Sequence, residues 1–126
     1  MEELHEPPEF SVAVATIGGA AVVTVCGELD IQTAPELVDA LIVGDADKPV
    51  VLDVRALTFI DSGGLHVLFG ERGNGKPAAL VVAAKSHVAR VFDLVSASQV
   101  LFVCHDLETA IQTVVTPEPA EGPAVA

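Results

Sequence analysis

The sequence predicts an α/β fold: a mainly parallel sheet of about five strands, about four helices, and an N-terminal hairpin at one side. Three observations lead there. Valine-rich runs alternate with segments of helical periodicity from residue 33 onward. The runs are nearly continuous in hydrophobicity, as strands covered on both faces are. The first two runs are joined only by a glycine turn, Gly18-Gly19, which makes them a hairpin. The chain has 126 residues, 51 % of them hydrophobic, enough for one domain with a real core.

Residues 10–15 and 21–26 form the hairpin strands around the turn at 17–20. Thr33 opens a capping box, with Glu36 three residues on and Pro35 in the first turn. The helix so capped carries Leu37, Ala40 and Leu41 on one face and stops at Gly44. Residues 50–54 are a buried strand bounded by Pro49 and Arg55. A helix follows from about Ser62 to Arg72, with Leu65, Leu68 and Phe69 as its core stripe and Gly73-Asn74-Gly75 as its end. Residues 79–83 are the next strand. Ser86 caps a helix that turns Val88, Val91, Phe92 and Val95 inward. Residues 100–104 form the last strand, and Asp106 caps a final helix with Ala110, Ile111 and Val114 on its core face. Residues 1–8 read as a flexible arm and 116–126, rich in proline, alanine and glutamate, as a flexible tail, leaving 9–115 as the domain.

The formal charge is −12, from 18 acidic against 6 basic residues. Nucleic-acid binding needs clustered cations to replace phosphate counterions, and this chain has none. Anionic membranes are disfavoured for the same reason, and a partner with a basic rim is favoured. No apolar run is long enough to span a bilayer, and Glu2, Glu3, His5 and Glu6 spoil a signal peptide, so the expectation is a cytoplasmic protein. Size and charge together suggest a monomer. Cys26 and Cys104 lie in apolar segments as free thiols, with no ligand-spaced neighbours for a metal.

The informative constellation surrounds Ser62. Its hydroxyl stands at the first turn of a helix, where outward N–H groups and the helix dipole tolerate an added phosphate. Asp61 caps that helix and can orient the serine. Beyond the core stripe, Gly63, His66, Val67 and Gly70 recur on a second, small and nearly uncharged face. Gly63 and Gly64 either shape the tight turn after Ile60 or admit another protein's backbone; docking is the reading adopted, because Val67 would otherwise lie exposed without purpose. Asp30, at the end of the second strand, should share one sheet edge with Ser62.

Three segments carry a family resemblance. Gly27-Glu28-Leu29-Asp30 with Thr33-Ala34-Pro35-Glu36-Leu37, Val51-Leu52-Asp53 through Phe59-Ile60-Asp61-Ser62-Gly63-Gly64-Leu65, and Ser86-His87-Val88-Ala89-Arg90-Val91-Phe92-Asp93-Leu94 occur in the order seen in bacterial STAS-domain anti-sigma factor antagonists. The chain resembles that family over most of its folded body. The resemblance implies that Ser62 is the phosphoacceptor of an anti-sigma factor that is also a serine kinase. The unphosphorylated form would bind the kinase and free a sigma factor, and a serine phosphatase would reset it. ATP would belong to the kinase, so the chain itself needs no cofactor. Asp30, Thr33, Asp61, Gly63, Gly64, His66 and Val67 would form the docking surface. Many members have a second serine where this chain has Gly63, so the segment offers one hydroxyl.

Rival readings are weaker. Asp61-Ser62-Gly63-Gly64 matches a protease nucleophile segment, but the sole histidine before it is His5 in the arm, so no triad can form and no enzyme is expected. Residues 70–77 nearly spell a P-loop, but Pro77 replaces the magnesium-binding hydroxyl and the segment follows a helix. The standing alternative is a STAS scaffold or ligand-binding subunit that is never phosphorylated.

Overall fold

A computed structural model of the chain describes residues 9–45, 48–69, 78–99 and 101–115. Five strands and four helices follow in the order β1 (Ser11–Ile17), β2 (Ala20–Leu29), α1 (Ala34–Asp45), β3 (Val50–Ile60), α2 (Ser62–Phe69), β4 (Ala79–Val81), α3 (His87–Leu94), β5 (Phe102–Cys104) and α4 (Leu107–Val115). The sheet order is β1-β2-β3-β4-β5. Among the described strands only β1 runs antiparallel, joined to β2 through Gly18 and Gly19, whose φ angles of 60° and 88° suit a two-residue hairpin turn. The remaining pairs are parallel. The α/β class, the single antiparallel hairpin and the element order are those expected from the sequence.

Sequential strand order has a consequence for the layers. Each right-handed crossover steps to the next strand in the same direction, so α1, α2 and α3 share one face of the sheet. Their Leu37, Leu41, Leu68, Val88 and Phe92 pack with Val23, Leu52, Val54 and Leu80 in the larger core. The opposite face carries α4, whose Ala110 and Ile111 cover Val22, Val51 and Val81 in a smaller core. The odd–even split at Val51 and Leu52 follows from the strand's two-residue period. Leu37→Ala in the larger core would cost about 2–5 kcal/mol.

Several local expectations change. β3 does not stop at Arg55 but continues to Ile60. Arg55 folds back on the buried carboxylate of Asp53, with Nε and Nη2 at 3.0 and 2.8 Å, so the charge is matched and the strand passes through. That hydrogen bond and the Asp53 charge hold the guanidinium pKa above its ordinary value. Val95 is not inward: it is the C-cap of α3 and 45 % exposed, because the helix has ended before its turn faces the core. Ser86 caps α3 through Ala89 N–H at 3.0 Å, and Asp106 caps α4 through Thr109 N–H at 2.8 Å, both as expected. The helix continuation to Arg72, its Gly73-Asn74-Gly75 end, Gly70, the P-loop-like run, the arm and the tail all lie outside the described residues.

Cys26 and Cys104 are free and half-buried, on β2 and β5. Three inter-strand spacings separate them, about 14 Å at the usual sheet spacing, too far for a disulfide within the chain. No helix among the described residues is long and apolar enough to cross a membrane. No group of histidine, cysteine or acidic residues among them is arranged to hold a metal.

Candidate docking site at the start of α2

The site is built where β2 and β3 end together. Leu29 pairs with Ile60 in parallel register. Asp30 and Asp61 therefore leave the sheet side by side, and Asp61 N–H donates to the Leu29 carbonyl at 3.2 Å. Asp30 and Ser62 share one edge of the domain, as the strand pattern required.

Asp61 turns its carboxylate onto the start of α2. Its Oδ1 accepts from Gly64 N–H at 3.0 Å, a standard N-cap bond. Ser62 is the first residue of α2 and is exposed. Asp30 acts within its own loop. Its Oδ1 accepts from the N–H groups of Gln32 and Thr33 at 2.9 and 3.0 Å.

Thr33 does not form the expected capping box. Its hydroxyl turns backward, accepting from Asp30 N–H and donating to the Glu28 carbonyl, both at 2.9 Å. Glu36 N–H instead reaches the Thr33 backbone carbonyl at 3.0 Å. Asp30 and Thr33 thus brace the β2–α1 loop against itself.

The two glycines lie close against this chain's own backbone. A Cβ on Gly64 would lie 2.8 Å from the Leu29 carbonyl oxygen and 2.9 Å from Ile60 Cγ1. Gly64 is buried. A Cβ on Gly63 would meet the Ile31 Cα and Cβ at 3.1 Å. The close approach that glycine permits here is by this chain's own β2–α1 connection. His66 is exposed on α2, and the Val67 side chain lies outside what the structure describes.

Between α1 and α2 lies an open groove of about 710 Å³. Ile31, Ala34, Pro35 and Val38 form its apolar wall, and Asp61, Ser62, Gly63 and His66 line the other side. Ile31 is 73 % exposed, unusual for an isoleucine in a braced turn. Ile31, Val38 and Asp39 were not singled out from the sequence. The signal was present: an apolar residue between Asp30 and Gln32, and an apolar position, Val38, beside the Leu37–Leu41 stripe on α1. Phe59, half-exposed near the same edge, stacks on His87 with ring centroids 6.2 Å apart and planes 11° apart.

The fold has known counterparts. Residues 11–110 match the STAS domain family model. The anti-sigma-F factor antagonist RsfB of Mycobacterium tuberculosis is 32 % identical over 90 residues, 69 % of this chain and 74 % of that protein. The crystal structure of an anti-sigma factor antagonist from Mycobacterium paratuberculosis superposes with a TM-score of 0.74 at 27 % identity, covering 89 % of this chain and 99 % of that one. Unphosphorylated SpoIIAA, also an anti-sigma factor antagonist, shares the fold at a TM-score of 0.51 and 20 % identity, over 86 % of this chain and all of that one. With the family model spanning its folded body and a third of its residues shared with RsfB in the matched segment, this chain belongs to the STAS domain family, among the bacterial anti-sigma factor antagonists, whose domain is a regulatory module and not an enzyme.

Proposed function

We propose that this protein is a partner switch whose phosphoacceptor is Ser62 and whose docking surface is the groove between α1 and α2. The observation that carries the reading is the exposed Ser62 hydroxyl at the first position of α2, on the rim of that groove. Unphosphorylated, the groove takes an anti-sigma factor that is also a serine kinase, and the sigma factor is released. ATP is bound by the kinase. A serine phosphatase restores the free hydroxyl. The setting is the cytoplasm, where sigma factors meet polymerase.

The chemistry of the switch follows from local charge. A phosphate adds about −2 at neutral pH. The first turn of α2 favours that charge, so the domain stays folded. Docking is different. Asp39 and Asp61 already line the groove, and a partner closing over the apolar wall would strip water from a phosphate that has no lysine or arginine beside it among the described lining residues. Phosphorylation therefore weakens docking without unfolding the domain.

The test is intact-mass measurement after incubation with ATP and candidate anti-sigma kinases, with Ser62→Ala alongside. One added phosphate on the native chain and none on the variant supports the reading. Binding to such a kinase without phosphate transfer would favour a scaffold that is never phosphorylated. Ser62→Asp should weaken kinase binding by roughly tenfold or more, since it places charge at a desolvated contact.

A further inference from the structure

We propose that two copies of this chain associate through their β1 strands, joining two five-stranded sheets into one. β1 ends the sheet, so its outer edge has no strand against it among the described residues. Exposed edges are normally blunted by lysine, proline, a bulge or a short length. β1 has none of these: it is seven residues long, Ser-Val-Ala-Val-Ala-Thr-Ile, and pairs with β2 without a register shift. Val14 and Ile17 are each 43 % exposed on it.

The occupant is identified by the symmetry of that edge. A two-residue turn closes on a hydrogen-bonded pair, here Ile17 with Ala20. Counting back, Ala15, Ala13 and Ser11 also bond to β2, which leaves Val12, Val14 and Thr16 with their backbone groups directed outward. These three residues are arranged symmetrically about Val14. A second copy laid antiparallel with Val14 against the partner's Val14 sets Val12 against the partner's Thr16, and both strands satisfy about six backbone hydrogen bonds. A two-fold contact demands a self-complementary patch, and this one is.

Charge points the same way. Each copy carries −12, so acidic surfaces repel. The seven residues of β1 are uncharged, giving a strip where two such copies can touch. Glu9 would fall opposite the glycine turn rather than another carboxylate. The contact replaces the monomer expected from size and charge. It is independent of the reading of Ser62, which lies beyond the end of β3, away from this edge.

Sedimentation equilibrium of the full chain over a concentration series, at low and high sodium chloride, tests this, with amide hydrogen exchange followed in the same samples. The mass should move from one chain to two as concentration rises, and sooner at high salt, because screening removes repulsion between copies. Exchange at Val12, Val14 and Thr16 should slow in step with the dimer fraction. Val14→Lys, and separately Thr16→Lys, should raise the dissociation constant by roughly tenfold or more while circular dichroism stays native. One-chain mass under all conditions overturns the proposal. So does a dimer that salt weakens, or one that both lysine variants leave intact. Protection of the three amides at concentrations where the chain is monomeric also overturns it, since another segment of the same chain would then cover the edge.

Discussion

The carbonyl of Leu29 accepts a hydrogen bond from Asp61 N–H at 3.2 Å, and the same oxygen lies 2.8 Å from where a side chain on residue 64 would begin. One backbone atom of β2 thus fixes both the departure of the chain from β3 and the seating of the first turn of α2. Ser62 lies between the two constraints. Its position on the groove rim is set by backbone geometry rather than by contacts of its own side chain.

Gly64→Ala should therefore act on stability. The added methyl has backbone on one side and Ile60 on the other, so neither neighbour can swing away. Overpacking of this kind costs about 1–3 kcal/mol. Urea denaturation should show a lower midpoint at unchanged slope. Gly63→Ala meets the Ile31 backbone at 3.1 Å, a looser contact that a loop shift of a few tenths of an ångström would relieve, and should cost less. Equal stability of Gly64→Ala and the native chain would mean that α2 is not held against Leu29.

Asp61 has a measurable local role apart from any partner. Asp61→Ala removes the acceptor for Gly64 N–H and should cost about 1 kcal/mol, while Asp61→Asn keeps the cap and should cost much less. Denaturant titration of the three proteins checks this. If kinase binding falls with both variants, the carboxylate also contacts the partner; if it falls only with alanine, the effect runs through the α2 start.

The groove wall separates docking from folding most cleanly. Ile31→Ala removes an exposed side chain, so stability should change by no more than about 0.5 kcal/mol. A hot-spot side chain packed at the centre of a docking surface costs more than about 1 kcal/mol of binding when truncated, and Ile31 holds that place on the groove wall. Calorimetry of Ile31→Ala with a kinase that phosphorylates the native chain should show at least a several-fold loss of affinity. Unchanged affinity would move the interface off the α1–α2 groove.

What could be read from sequence follows from which interactions are local. Ser86 and Asp106 were identifiable as caps because a short polar side chain and an N–H three residues on are enough to form the bond. Thr33 has the same local pattern yet bonds backward to Asp30 N–H and the Glu28 carbonyl, partners supplied by the conformation of the preceding loop. Arg55 looked like the end of a strand because a lone charge ends an apolar run; the fork onto Asp53 that carries the strand to Ile60 is a same-face pair two residues apart. At the site, Asp61 and Ser62 were legible from their place before a helical pattern. Ile31 and Val38 were not, since their role depends on how α1 and α2 lie side by side.

Asp106 gives the chain a defined acid response. Its carboxylate accepts from the Thr109 hydroxyl at 2.7 Å and the Thr109 N–H at 2.8 Å. The hydroxyl bond first, then the backbone bond, and a smaller attraction to Arg55 hold its pKa below the ordinary value of 3.8. A carboxyl group with a lowered folded-state pKa stabilises the fold above its unfolded value and loses that contribution as pH falls through the folded value. The α4 cap should therefore hold at neutral pH and weaken only in strong acid. Carbon-detected NMR titration should place the Asp106 midpoint below that of an exposed aspartate. Thr109→Val removes the leading cause and should move the midpoint up toward the ordinary value, whereas Arg55→Gln should move it less. Asp106→Asn should flatten the part of the stability–pH curve that lies below the ordinary carboxylate range. A Thr109→Val midpoint equal to that of the native chain would show that the hydroxyl bond does not persist in solution, leaving the backbone N–H as the bond that caps α4.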